Sequence, residues 1–292
     1  MRTPILVPLA LLLSACGTDF ELQSEIRRVR VLAVRAEPAE VLVDPTLSSF
    51  PDPVSFSALA VTPDARPVTV TYALCRATST NPYDGSCPGS NSVPLPQGVL
   101  SFQDPNVQAV LNEALTALNP GGGNGGPPDP NDPRFREALE AGIPFFIGYE
   151  ATDGSGTPEG TERGIRRLTA RAVAAANRNP EVADILRDGA PLSGPLPPGT
   201  EVSFQPVLAE GSAEVYETDE GPRTEQVFYS WYATGEGEVR ALRSLEPVNG
   251  QPGDPTTDYE TPAAPASVTF YVVARDGRGG VGWLTRTVDV GP

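Results

Sequence analysis

The side chains that could carry chemistry are few in kind. There are three cysteines, Cys16, Cys75 and Cys87, and 37 carboxylates; there is no histidine, and all 21 basic residues are arginine. Without histidine, neither a Ser-His-Asp nor a Cys-His arrangement can be assembled within this chain. Without lysine, Ser-Lys dyads and Schiff-base chemistry are excluded as well. Zinc sites are built from clustered Cys and His, which this sequence does not offer. What remains is glycosidase-type chemistry with two carboxyl groups about 5–10 Å apart, or calcium chemistry. Among 37 carboxylates some pair will reach that separation by chance, and no motif singles one out. Calcium takes six to eight oxygens. The stretch PPDPNDP offers Asp129, Asn131 and Asp132, and TDGSGTPE offers Asp153 and Glu159. Neither has EF-hand spacing, and turn-forming Asp is the ordinary explanation. DGRGG (276–280) has the glycines of a phosphate loop without the strand–loop–helix context, so a β-turn explains it better. No catalytic residue, metal site or cofactor is therefore assigned.

The net charge of −16 points the same way for partners. Such a surface repels nucleic acid, so no nucleic-acid partner is expected. The 33 prolines and 29 glycines suit a loop-rich β protein.

The N-terminus sets an expectation about place. Arg2 gives a positive start, Ile5 to Leu13 is an apolar run interrupted by Pro8, and the small residues Ser14 and Ala15 follow. That is the layout of a secretory signal, too short to span a bilayer as a mature helix. Leu13-Ser14-Ala15-Cys16 resembles the lipobox of bacterial membrane lipoproteins. The resemblance implies that residues 1–15 are a signal peptide and that the Cys16 thiol receives a diacylglyceryl group. Cleavage would then precede Cys16, and the new amine would take a further acyl chain such as palmitate. The alternative is a soluble exported protein whose first mature residue is Cys. One acyl chain holds a protein marginally, whereas two or three hold it stably. In that family's sorting pattern, Gly17 rather than Asp after the cysteine implies the outer membrane. With Cys16 used in this way, Cys75 and Cys87 remain and can pair in an oxidising compartment; two free thiols are the alternative. The short loop they would close is worth roughly 3 kcal/mol. An immunoglobulin-type bridge joins two sheets across many more residues, so this one would pin a loop leaving a strand.

The elements that position these residues show an internal repeat. VSFSALAV (54–61) resembles VSFQPVLA (202–209), and VTYALCR (70–76) resembles VFYSWYA (227–233). FFIGYEATDG (145–154) resembles VTFYVVARDG (268–277), and GIRRLTARAV (164–173) resembles GVGWLTRTVD (280–289). The four pieces keep their order at unequal spacings, as strands do when loops change length. Val70, Tyr72 and Leu74 alternate along one face, as do Val227, Tyr229 and Trp231, and Val29, Val31 and Ala33. ARDGRGGVGW reads as a hairpin between Val268–Ala274 and Val281–Val290. Short alternating strands between Pro/Gly turns predict antiparallel sandwiches. The pattern, closing on VTFYVVARDGRGGVGWLTRTVDV, resembles immunoglobulin-like or PKD-like domains of bacterial surface proteins. That architecture brings no catalytic residues with it. Only Trp231 matches the typical immunoglobulin tryptophan; Leu74 stands there in the first copy.

The expected fold is mainly β: two immunoglobulin-like antiparallel β-sandwiches in tandem. The expected organisation is a signal peptide at 1–15, lipidated Cys and tether at 16–24, a first sandwich at 25–176 and a second at 177–292. A helical insertion is expected at about 97–142. Asp104-Pro105 would start one helix, with Val107, Val110, Leu111, Ala114 and Leu118 on one face. Asp132-Pro133 would start a second, pairing Phe135 with Leu139 and ending at Gly142. On strand alternation Tyr229 and Trp231 point inward, while Tyr232 lies on the other face and is the one aromatic placed to meet a ligand. The functional expectation is a non-catalytic, lipid-anchored outer-membrane protein with a structural or protein-interaction role. Its partners would be the membrane, through the anchor, and an envelope protein or surface glycan. A glycan- or peptide-binding accessory module is the alternative, and a carboxylate-dependent hydrolase the weaker one.

Overall fold

A computed structural model describes residues 23–46, 48–76, 87, 92–117, 129, 131–218, 220–248 and 250–292. Cys16, the lipobox and Leu118 lie outside the described residues.

The first half contributes β1 (Arg30–Glu37), β2 (Val41–Leu42), β3 (Val54–Val61), β4 (Thr69–Cys75), β5 (Ser92–Pro94) and β6 (Val99–Leu100). After helices α1 (Pro105–Ala117) and α2 (Pro133–Ala141) come β7 (Ile143–Thr152) and β8 (Thr161–Arg171). One sheet runs β1-β3-β6 and the facing one β2-β8-β7-β4-β5. All pairings are antiparallel except β2 with β8, which is parallel. The alternation read from the sequence places Leu74 opposite Ile147 in register, both fully buried. With Val54, Leu100, Leu168 and Phe56 they fill one core.

The second half contributes β9 (Val182–Arg187), β10 (Ala190–Pro191), β11 (Glu201–Leu208), β12 (Val215–Thr218), β13 (Gly221–Thr224), β14 (Phe228–Ala233), β15 (Glu238–Val239), β16 (Arg243–Leu245), β17 (Thr257–Glu260), β18 (Ala266–Arg275) and β19 (Val281–Val290). The sheets run β10-β9-β11-β17-β15 and β16-β14-β18-β19, with β12-β13 a separate hairpin. Phe204, Tyr259 and Phe270 pack as a tilted and edge-on aromatic triplet in its core, beside Tyr229 and Trp231.

The four repeated pieces occupy corresponding places. The sequence β4-β7-β8 across one sheet matches β14-β18-β19 across the other, and β3 beside β1 matches β11 beside β9. Each half also has a short parallel contact with its last strand, β2 on β8 in the first and Leu196 on Val290 in the second. Two sheets, one ending in the last hairpin and one holding the first long strands, are the immunoglobulin-like arrangement. The fold is thus two immunoglobulin-like antiparallel β-sandwiches in tandem, with the helices inserted in the first.

The helices start and stop where residue chemistry predicts. The Asp104 carboxylate accepts from the Asn106 backbone N–H at 2.8 Å, and that of Asp132 from Arg134 at 2.9 Å, which satisfies donors at each helix start. Val107 and Val110 are buried on α1, as are Phe135 and Leu139 on α2. Gly142 ends α2 with φ of 101°, a conformation glycine takes without steric cost. One boundary shifts: Val99 and Leu100, at the start of the expected insertion, pair with Ser55 and Val54 and belong to the sandwich.

Candidate functional site

The alternation expected to place Val29, Val31 and Ala33 on one face is broken by a bulge between Val31 and Ala33. A bulge adds a residue to one strand and re-aims its neighbours. Val34 and Ala36 turn into the first core, while Leu32 and Ala33 point out of it. What they meet is the other sandwich. Leu32, Ala33, Ile26 and Val61 pack with Tyr271, Val273 and Val281 of β18 and β19 in a third apolar cluster. Leu59, Tyr232 and Trp283 border it. The two sandwiches therefore meet face to face, sheet β1-β3-β6 against sheet β16-β14-β18-β19. This explains why β18 (VTFYVV) is apolar on both faces: Val268, Phe270, Val272 and Ala274 face their own core, and Tyr271 and Val273 the seam.

Polar groups frame the seam. The Arg275 guanidinium donates to the Leu32 carbonyl at 2.8 Å and to Ser230 Oγ at 3.1 Å. Arg166 of β8 donates to the Gly279 carbonyl. Asn179 donates to the Ala36 carbonyl at 2.8 Å and accepts from the Val281 N–H at 2.9 Å. Ala233 N donates to the Ser24 carbonyl at 3.2 Å, so the segment entering β1 is strapped along β14. At one end sits a buried carboxylate cluster. Asp276 accepts from the backbone N–H groups of Arg278, Gly279 and Gly280 at 2.7–3.0 Å, and from Asn177 Nδ2 at 2.7 Å. Glu40 accepts from Asn177 N at 2.6 Å. Arg278 pairs with Glu225 at 2.7 Å and reaches Glu214 at 3.9 Å and Glu40 at 4.0 Å.

These carboxylates are the pairs a hydrolase would need brought together, yet each is committed to backbone or guanidinium donors. Burial, the largest influence on Glu225, raises its pKa despite the Arg278 partner. Burial also pushes Glu214 up, but the bonds from Arg178 and the charge of Arg278 outweigh it and hold the group below its ordinary value. Asp276, Glu214 and Glu225 brace the end of the second sandwich, and among the described carboxylates Glu40 alone reaches them from the first.

The residues singled out from sequence are placed as follows. Cys75 and Cys87 form a disulfide, with Cys75 the last residue of β4. Gly148 of β7 lies beneath it: a Cβ there would stand 2.6 Å from Cys87 Sγ. Asp129 accepts from Asn131 N at 2.9 Å within its own turn. Asp153 accepts from Ser155 N at 2.8 Å and pairs with Arg66 at 3.0 Å, while Glu159 is exposed. Among the described residues no group of three or more Cys, Asp or Glu is placed to hold a metal. Trp231 and Tyr229 are buried in the second core; the Trp231 indole donates to Ser244 Oγ at 2.8 Å and the Tyr229 hydroxyl to Glu246 at 2.7 Å. Tyr232 lies on the opposite face, half-buried, with the Arg30 guanidinium 5.4 Å from its ring centroid. It lines a cleft at the seam together with Arg30, Arg243 and Arg275.

Sequence reasoning missed the seam. Its signal was present in two places, the two-sided apolarity of β18 and the odd residue Leu32 in RVLAV, but alternation was read with one buried face in mind. A second feature went unread. Phe50 is 60% exposed at the rim of an apolar hollow of about 230 Å³ between α1 and the sandwich, walled by Val43, Leu111, Leu115 and Phe145.

No family model matches the chain, and no curated protein matches it. Among solved structures it is similar to the D00–D0 domain of intimin, with 12% identity over 51% of this chain and 65% of that one, at a TM-score of 0.27. It is also similar to extracellular cadherin domains 1–4 of protocadherin gamma B7, with 13% identity over 92% of this chain and 48% of that one, at a TM-score of 0.20. The chain spans less than two thirds of the length of either. At such scores the architecture rests on the strand pairings themselves.

Proposed function

We propose that this chain is a non-catalytic, lipid-anchored protein of a bacterial envelope, whose work is to hold surfaces for another envelope protein. In this reading Cys16 carries the acyl groups, the outer membrane is the site of attachment, and the first sandwich begins a few residues beyond the anchor. From Cys16 to Gln23 is a reach of at most about 25 Å, so the paired sandwiches stand close to the bilayer.

The observation that carries the reading is the seam. Domains on one chain ordinarily move relative to each other unless their interface is large and apolar. Here an apolar cluster, with hydrogen bonds from Arg275 to the Leu32 carbonyl and from Asn179 to the Ala36 carbonyl, holds two sandwiches face to face. A body of that kind suits presentation of loops in fixed relation. The carboxylates that come together are engaged with backbone and guanidinium donors, which favours a structural role for them over hydrolysis. Tyr232 has the Arg30 guanidinium over its ring, so it offers no open stacking platform for a neutral sugar.

The anchor is tested by replacing Cys16 with Ala and fractionating the cells. The reading expects the variant to leave the membrane fraction; undiminished membrane association refutes it. Crosslinking of the tethered wild type in its own cells, read by mass spectrometry, should then return one recurrent envelope protein. Recovery of no protein above an unrelated lipoprotein control contradicts the interaction role.

A further inference from the structure

The cleft at the seam has a composition at odds with the rest of the chain. Acidic residues outnumber basic ones by 37 to 21, and most arginines of the two sandwiches meet a carboxylate: Arg35 with Glu37, Arg163 with Glu150, Arg178 with Glu214, Arg286 with Asp184. The cleft is lined by Arg30, Arg243 and Arg275, with Ser230 and Tyr232 between them, and no carboxylate lines it. Among the described residues none of these three arginines makes an ion pair.

Their other bonds leave donors to spare. Arg30 uses one terminal nitrogen, Nη1, on the carbonyls of Gln23 and Glu25 at 2.6 and 2.7 Å. Arg275 uses its two terminal nitrogens on Ser230 Oγ and the Leu32 carbonyl, which fixes the plane of its guanidinium. Arg243 is exposed at the rim on the short edge strand β16. Burial lowers the Arg275 pKa; Tyr232 opposes that shift, and the like charge of Arg243 adds to it. Like charges gathered at a half-buried place are unfavourable unless an opposite charge joins them. A guanidinium held in plane by packing and hydrogen bonds is arranged to meet a tetrahedral or planar oxyanion.

We propose that this cleft, of about 350 Å³, is an oxyanion site that takes a phosphate group. Arg30 comes from the first sandwich and Arg243 and Arg275 from the second, so the site exists only when the seam is closed. A bound phosphate therefore reinforces the clamp, because a ligand that binds only one arrangement stabilises it. Gln23, at the mouth of the cleft, lies seven residues after Cys16. If Cys16 is acylated as proposed, the phosphate of a lipid headgroup and a free phosphate are both within reach, and they share one chemistry.

The test uses the full chain carrying Cys16→Ala, so that an acyl anchor contributes nothing and the outcome stands apart from the anchor reading. Inorganic phosphate is titrated against the protein by calorimetry at fixed ionic strength, with chloride as balance. The site predicts saturable binding, weakened about tenfold in Arg243→Gln and unchanged in Arg286→Gln. Among the described residues the Arg243 side chain makes no hydrogen bond or ion pair, and its backbone pairing with Ser230 survives the substitution, so the variant tests the site without loosening the seam. Sedimentation with vesicles of phosphatidylglycerol, against phosphatidylcholine alone, separates the sources. Vesicle binding that Arg243→Gln abolishes assigns the headgroup; phosphate binding with no vesicle binding assigns a soluble phosphate. A response to phosphate no greater than to chloride, or equal affinity in Arg243→Gln and the parent, overturns the proposal.

Discussion

Arg275 on β18 donates its guanidinium to the main-chain carbonyl of Leu32 on β1, 2.8 Å away, across the boundary between the two sandwiches. The pairing joins residues 243 positions apart and meets at the bulge that turns the Leu32 side chain out of its own core. One irregularity in one strand thus serves both contacts, apolar through its side chain and polar through its carbonyl.

Truncating Leu32 should therefore be costly although it lies outside both main cores. Leu32 is 4% exposed, and removing a buried leucine side chain to alanine costs about 2–5 kcal/mol. Leu32→Ala is expected to lose about 2–3 kcal/mol in urea unfolding. A loss under about 0.5 kcal/mol, the size of a surface change, would show that the seam contributes little.

Asp276 should be as sensitive for a different reason. Its carboxylate satisfies the backbone donors of the β18–β19 turn and fixes Asn177. Asp276→Ala strands those buried donors, each worth about 1–3 kcal/mol when left unpaired. The expected loss is about 3 kcal/mol or more, with Asp276→Asn falling between it and the wild type. An Ala variant as stable as Asn would place the turn's stability elsewhere.

The disulfide and Gly148 are coupled by contact. A Cβ at residue 148 would sit 2.6 Å from Cys87 Sγ. Gly148→Ala should destabilise the oxidised protein by about 1–3 kcal/mol, the range for an overpacked site. In the Cys75→Ser/Cys87→Ser background, itself about 3 kcal/mol less stable, the same substitution should cost clearly less. Equal penalties in the two backgrounds would contradict the contact.

The neighbours Glu214 and Glu225 should respond to pH in opposite senses. Burial raises the Glu225 pKa above 4.5, so the folded state holds that proton more tightly than the unfolded one. Its contribution is present below 4.5 and is lost as pH rises from there through the raised folded-state pKa. Glu214 is held below 4.5, so its contribution is present above that pH and is lost as pH falls. Urea melts between about pH 3 and pH 7 should show the wild-type advantage over Glu225→Gln shrinking with rising pH and that over Glu214→Gln growing. Parallel curves would show that the two groups do not differ.

Much of the architecture was legible because local chemistry and tertiary demand agree. Leu74, Tyr229 and Trp231 alternate inward and are buried; Asp104 and Asp132 cap the helices that follow them; the repeated pieces fall in corresponding strands. What alternation could not convey was a strand buried on both sides. Leu32 and Ala33 break period two, and only a second sandwich gives the break a reason. Tyr232 was rightly placed away from Trp231, but the face it lies on is the seam. Arg30, Arg243 and Arg275 are scattered along the chain, and no spacing announces that the seam gathers them.

The central claim is that the two sandwiches form one rigid body. Spin labels at Ser57→Cys on β3 and Thr285→Cys on β19, both at exposed positions, in the Cys16→Ala chain, measure it directly by pulsed electron resonance. The account predicts a single narrow distance distribution, broadened by a seam substitution such as Val273→Asp. A broad distribution in the unmodified seam, as for beads on a flexible string, would contradict it.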